Sequence, residues 1–189
     1  MLPSLLTERL TLRALRLGDL SALVAACRDP EIVRWCVSIP LGYTEQDALD
    51  FISYSHDAAL AEAEFIWAID ASGVFAGVVS LFDVSRSSAE VGFWLAPDSR
   101  GQGFMAEALG AVTGFALDPL GLGLDRLVWT ALQGNSSSEK VARKVGFEGF
   151  RTLPEGTPGR PGFDGVALMQ TARQAELTRQ RWAEVSFPG

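Results

Sequence analysis

Apolar and polar residues alternate over Arg9–Leu15 and run almost unbroken through Phe65–Ile69 and Val74–Phe82. This predicts one half-buried strand, then a hairpin turned at Asp70–Gly73 and covered on both faces. Glu90–Leu95 and Arg126–Ala131 read as further strands, and Phe147–Thr152 and Phe163–Met169 as the last two. Between those two, LPEGTPGRPG is rich in Pro and Gly and is expected to be irregular. Helical spacing predicts a helix over Leu17–Cys27, begun by Asp19 or Ser21 and stopped by Asp29-Pro30. A second helix is expected after Thr44 as N-cap, with Asp47 three residues on, Ala48, Leu49 and Ile52 inward and His56 on the polar side. Met105, Ala108, Leu109, Val112 and Ala116 mark the inward face of a third. Ser136 and Glu139 fit a capping box for a fourth, which Gly146 should end. The order is that of an α/β (α+β) protein with a mixed, mainly antiparallel sheet of six to seven strands flanked by helices. Residues 1–170 are expected to form one domain. In the 171–189 tail, Ala172, Ala175, Arg179 and Trp182 share one helical face.

With 189 residues, 48% of them hydrophobic, the chain can bury one substantial core. It has no apolar run near the roughly 20 residues of a membrane helix and no signal-like start, so a cytoplasmic protein without a membrane partner is expected. Cys27, Cys36 and the single histidine, His56, have no metal-binding or redox spacing, so no metal is expected. A net charge of −7 disfavours a nucleic-acid surface and suits a cationic substrate.

The segment SRGQGFMAEAL, Ser99–Leu109, places glycines immediately before a helix. Gly101 and Gly103 allow backbone N–H groups to approach a ligand closely, the helix N-terminus adds unsatisfied donors, and Arg100 adds a positive charge. The first acid, Glu107, is expected in the second helical turn. The segment therefore reads either as a phosphate cradle or as a structural connection. The absence of a Lys-Ser/Thr pair excludes a P-loop, and the lack of a third glycine excludes the dinucleotide fingerprint.

Arg100, Gly103 and Met105 occupy the positions of a pattern that resembles the acetyl-CoA pyrophosphate loop of the GNAT superfamily of N-acetyltransferases. Met105 departs from the general Gly or Ala, but GQGFM followed by an acid two positions on resembles the RimJ/RimL-type branch, which acetylates protein or peptide α-amines. TERLTLRAL, AEVGFWLAP and NSSSEKVARKVGF lie in the order of that family, extending the resemblance over roughly Thr7–Gln170. The resemblance implies a GNAT-like fold, with acetyl-CoA as co-substrate and direct transfer to a primary amine. An N-terminal α-amine, with a pKa near ~8 against ~10.4 for lysine, is the easier acceptor to neutralise. Alternatives are a small-molecule amine acetyltransferase, acting on an antibiotic, polyamine or amino acid, and a catalytically silent acyl-CoA-binding module. The protein could act as a monomer or a homodimer.

Residue by residue, the resemblance implies that Arg100, Gly101, Gln102, Gly103, Phe104 and Met105 hold the pyrophosphate. The main chain of Trp94 and Leu95 and the amide of Asn135 would hold pantetheine, and Lys140 the adenosine phosphates. Glu90, at the start of the strand leading to the loop, is the candidate base, and Asp83 at the neighbouring strand end would orient the ammonium. Ser138 is the candidate acid for the leaving thiolate. Gly92 marks where that strand should splay and offer a backbone N–H to the oxyanion. Trp35 and Tyr43, between the first two predicted helices, would line the acceptor groove or else pack those helices onto the sheet.

Overall fold

The computed structural model describes residues 2–161 and 167–186. Its centre is an eight-stranded sheet in the order β1-β2-β3-β4-β5-β6-β8-β7. The strands are β1 (Leu5–Leu6), β2 (Thr11–Arg13), β3 (Phe65–Ala71), β4 (Val74–Phe82), β5 (Ser88–Leu95), β6 (Arg126–Leu132), β7 (Glu148–Pro161) and β8 (Ala167–Thr178). Every neighbouring pair is antiparallel except β5 with β6. The mainly antiparallel α/β architecture is as expected, with one strand more: β1 has only two residues, too few for any alternation to register.

β3 is buried at six consecutive positions because both faces of the sheet are covered. Phe65, Trp67 and Ile69 enter a core beneath helix α4 (Phe104–Leu117). Ile66 and Ala68 enter a second core with Leu23 of α1 (Leu20–Cys27) and Ile52 of α3 (Glu45–Leu60). Successive strand side chains point to opposite faces, so this continuous apolar run is what two helical layers require. Thr44 caps α3 as expected, and the Asp47 side chain reaches back to complete a capping box. Leu49, expected inward, is instead exposed, and the buried side of α3 is set by Ala48, Ile52, Ser55, Ala58 and Ala59.

Asp29-Pro30 stops α1 but also starts α2 (Pro30–Trp35), a helix absent from the sequence reading. The Asp29 carboxylate accepts from the Ile32 amide at 3.1 Å, and Pro30 sits in the first turn, where its missing N–H costs nothing. Asp19 does not cap α1 through its side chain. Its carboxylate instead accepts from both Arg13 terminal nitrogens at 2.8 Å, while Arg13 Nε reaches Asp70 at 2.9 Å. This ties β2, β3 and the start of α1 together.

Two expectations near the C-terminus are corrected. The Pro/Gly-rich segment is not irregular: it continues β7 to Pro161, with register shifts at three places that absorb its extra residues. β7 lies last in the sheet, and an edge strand tolerates Pro because the missing N–H can face solvent. At Gly156, φ is +71° and a Cβ would lie 2.3 Å from the Gln170 carbonyl oxygen, so the bulge needs glycine. Residues 171–178, read as part of a helical tail, are strand β8, paired on both sides, with Ala172, Ala175 and Leu177 buried. Helix α6 begins only at Arg179 and ends at Ser186. Residues 163–166 of the expected last strand lie outside the described residues.

Removing Asp19 should expose how much the fold relies on the Arg13 cluster. Burial pushes the Asp19 carboxyl up, but hydrogen bonds from Arg13 and the Arg16 amide outweigh it and hold it below the usual carboxylate range. Its contribution is therefore full above the unfolded-state pKa and lost as pH falls. Asp19→Ala is expected to lower the unfolding free energy by about 3–5 kcal/mol at neutral pH, by leaving Arg13 partly buried and underpaired. Urea unfolding should show this difference shrinking in acid.

Candidate active site

The parallel ladder between β5 and β6 runs only from Ser88↔Arg126 to Val91↔Trp129, although β5 continues to Leu95 and β6 to Leu132. The splay expected at Gly92 is therefore present. β4 stays paired to β5 through Gly77↔Leu95, and β8 to β6 through Leu132↔Ala172, so each diverging strand is held from its outer side. A cleft of about 1010 Å³ opens there, lined by Gly92–Leu95 on one strand and Trp129–Leu132 on the other. It is also lined by Met105 and Ser138 from one layer and Trp35 and Tyr43 from the other, and so reaches both faces of the sheet.

At one end lies the glycine turn. Gly101 (φ +76°) and Gly103 (φ +81°) adopt the left-handed region, and Gly103 is the N-cap of α4 without any side-chain cap. The first N–H groups of α4 thus meet no capping side chain, and beyond its own chain neighbours nothing lies within 4 Å of where a Cβ on Gly101 would stand. Arg100 lines the cleft, donates to the Leu95 carbonyl at 3.2 Å and pairs with Asp29 at 2.6 Å. The turn is thereby tied to β5 and to the cap of α2. Phe104 packs against the core, and the Gln102 side chain turns back to the Asp98 carbonyl.

Glu107 lies in the first turn of α4, one turn earlier than expected, because the helix begins at Phe104. A carboxylate there favours the helix dipole but would oppose an anion at the glycines. Arg9 compensates it: its guanidinium lies 2.6 Å from Glu107, donates to the Gln102 carbonyl at 3.0 Å and covers the Phe104 ring. Thr7 donates to the same carboxylate at 2.6 Å. Burial pushes Glu107 up, and these bonds from Thr7 and Arg9 hold it below the usual range.

The candidate acid and base lie on opposite faces of the splay. Val91 and Trp129 enter the core under α4, so Glu90 and Thr130, one residue earlier and one later, face the α1–α3 side. Glu90 lines the cleft, and burial pushes its carboxyl up, against a lowering hydrogen bond with Thr130, with Asp83 adding repulsion. Asp83 itself is exposed, at φ +50°, and is not among the residues that line the cleft. The turn after β4 carries its side chain outside the cleft.

Ser138 lines the cleft from α5 (Ser136–Val145), on the α4 side. The expected Ser136 cap is replaced by Asn135, whose Oδ1 accepts from the Ser138 amide at 3.2 Å. Asn135 still borders the cleft, but its carbonyl oxygen serves the helix. Ser138 Oγ accepts from the indole N–H of Trp129 at 2.9 Å. Lys140 is exposed and does not line the cleft, because α5 turns that position outward. Gly146 ends α5 in the left-handed conformation, as expected.

Trp35 is half-buried on the cleft wall, held by Glu31 at 3.2 Å and covered by Arg34. Tyr43 is 5% exposed and belongs to the core between α1, α3 and the sheet, although its surface still borders the cleft. Arg160, on the strand read as irregular, donates to the Ile39 carbonyl, to that of Val33 at 2.6 Å and to that of Cys36 at 3.3 Å. It satisfies carbonyls at the C-terminal end of α2 and holds the connection that carries the groove.

No local pattern marks Arg9, Thr130, Trp129 and Arg160, because each acts on a partner in a different element. Of these, only Arg9 lies within a segment of the resemblance, TERLTLRAL. Among the described residues, no group of three or more His, Cys, Asp or Glu could hold a metal ion, and no helix is long and apolar enough to cross a membrane.

The sequence matches the family model of the acetyltransferase (GNAT) domain over residues 9–148. Among solved structures, the fold is similar to RimL, a ribosomal L7/L12 α-N-protein acetyltransferase in complex with coenzyme A. The TM-score is 0.76 at 18% identity, covering 93% of this chain and 98% of that one. RimJ of Mycobacterium smegmatis, in complex with CoA-disulfide, gives 0.75 at 20% identity, with 95% and 84% covered. The microcin C7 self-immunity acetyltransferase MccE, in complex with acetyl-CoA and AMP, gives 0.74 at 20% identity, with 91% and 93% covered. At these identities the likeness is one of fold.

Glu90 generates a stability prediction independent of activity. Its raised pKa means that folding favours the protonated carboxyl, so its contribution is most favourable in acid and is lost as pH rises through the folded pKa. Glu90→Gln, neutral throughout, should melt higher than the parent protein at neutral pH and lose that advantage in acid.

Proposed function

The chain belongs to the acetyltransferase (GNAT) domain family, and within that chemistry we propose that it moves an acetyl group from acetyl-CoA to the α-amine of a protein or peptide N-terminus, as in the RimJ/RimL-type branch. The observation that carries this reading is the cleft at the β5–β6 splay, with Glu90 on one face and Ser138 on the other. The glycine turn, with its open space at Gly101 and the uncapped start of α4, fits a pyrophosphate.

The acceptor side supports a cationic, extended substrate. Glu31, Asp47, Asp50, Glu64 and Glu90 line the cleft, against Arg100 as the one lysine or arginine among the described residues lining it, at the end beside the glycine turn. Glu90, whose carboxyl burial pushes up, takes the first proton of the ammonium, and the neutral nitrogen then attacks the thioester carbonyl. The amide C–N bond forms and the thioester C–S bond breaks. Ser138 gives its hydroxyl proton to the leaving sulfur and regains one, through water, from the second proton that the nitrogen sheds as the amide forms. Main-chain N–H groups at Gly92–Leu95 would meet the oxyanion, since β6 no longer pairs with them. Direct transfer fits the two thiols, because burial pushes Cys27 up to about 12 and Cys36 up to about 11, far from thiolate reactivity.

Glu90→Gln should retain CoA binding and lose about 10²–10⁴-fold in turnover, with partial recovery as pH rises and more of the acceptor amine is already neutral. Asp83→Asn removes a charge that raises Glu90, so the acid limb of the rate profile should move to lower pH. Thiol-release measurements across short peptides and small amines test the acceptor. Turnover confined to small amines would overturn the peptide assignment.

Arg9→Ala leaves Glu107 without its guanidinium beside the glycine turn. Calorimetric titration should then show CoA bound at least several-fold more weakly. Unchanged affinity in a folded variant would remove the cradle assignment.

A further inference from the structure

The hydrogen bond between Trp129 and Ser138 has only one possible polarity. An indole nitrogen carries a proton and no available lone pair, so it can only donate, and Ser138 Oγ must accept. The serine's own proton must therefore point to a different partner, and Ser138 borders the cleft. Trp129 is 1% exposed and belongs to the core under α4, with its ring 5.5 Å from that of Phe150. It lies at the last paired position of β6 before the splay, opposite Val91. The Ser138 amide is fixed independently by Asn135. Side chain and main chain of this serine are thus held by two separate donor–acceptor contacts, both formed within the protein.

We propose that Trp129 is a positioning residue for acetyl transfer: its buried N–H turns the Ser138 hydroxyl proton toward the leaving sulfur and stabilises the serine oxygen while that proton departs. The inference rests on the acid role proposed for Ser138. As the thioester C–S bond breaks, the sulfur takes the Ser138 proton, negative charge grows on Oγ, and the second proton shed by the amine nitrogen restores the hydroxyl through water. A hydrogen bond to an oxygen gaining charge strengthens during that step, so the indole contributes more to the transition state than to the resting protein. Its donor belongs to a ring only 1% exposed and already points at Oγ, so it needs no reorganisation.

The test is a double-substitution cycle on Trp129→Phe and Ser138→Ala, read in turnover, KM and CoA affinity. Trp129→Phe should lower turnover about tenfold, the size expected for one buried hydrogen bond expressed in the transition state, with KM and CoA affinity nearly unchanged. In the Ser138→Ala background the same change should have almost no further effect, because there is no hydroxyl left to orient. Replacing Trp129 by β-(3-benzothienyl)alanine keeps the ring shape and removes the N–H alone, which covers the case in which phenylalanine fails to fill the core. Equal losses with and without Ser138 would assign Trp129 a packing role and overturn the proposal, as would wild-type turnover in the benzothienyl protein. Wild-type turnover in Ser138→Ala itself would instead overturn the acid role of the serine.

Discussion

The structure depends on the place where β5 and β6 stop pairing. Two parallel strands joined by a short ladder and then pulled apart leave main-chain groups that must find other partners, and a gap that side chains do not close. The divergence persists because β4 and β8 hold the outer edges of both strands beyond the last shared pair. From that gap follow the cleft, its access from both faces, and the separation of Glu90 from Ser138 across the sheet. A single residue of register assigns Glu90 and Thr130 to one face and Val91 and Trp129 to the other.

Arginines do much of the work of holding the walls. Arg9 neutralises a helix-start carboxylate next to the glycine turn, Arg100 fastens that turn to the cap of α2, and Arg160 reaches from the edge strand to the far end of the same helix. Each donates in several directions from one planar group, so one side chain can fix the relative position of two elements. In a chain of net charge −7 these positions are local exceptions, and they gather around the cleft. Arg100 has a consequence for binding as well. Its charge is shared with Asp29, which burial pushes up and which Arg100 and the Ile32 amide hold low, so the turn relies chiefly on backbone donors.

Much of the fold was legible because its signals are local. The doubly covered hairpin appeared as an apolar run, α3 through Thr44 as its N-cap, the start of α4 as paired glycines and the end of α5 as Gly146. The misreadings have a common cause. Asp29-Pro30 is a stop for one helix and a start for the next, and sequence displays the stop more plainly. LPEGTPGRPG breaks any interior strand but is compatible with an edge strand, and edge position is a property of the whole sheet. The i, i+3 spacing of Ala172 and Ala175 fits a helix as well as a strand pressed between neighbours.

The sequence by itself determined the elements of the candidate site: a glycine turn opening a helix, an acid on the strand before it, and a serine in the first turn of a later helix. Those assignments follow from residue type and short spacing, since conformational freedom, helix-end donors and capping act within a few residues. Tertiary structure alone decided what each residue does with its neighbours. It left Lys140 and Asp83 outside the cleft, gave Asn135 to a helix cap, buried Tyr43, and brought Arg9, Thr130, Trp129 and Arg160 to sites no local pattern marks. The reason is that burial and hydrogen bonding between distant segments are fixed only once strand order and register are fixed, and those are set by the whole sheet at once.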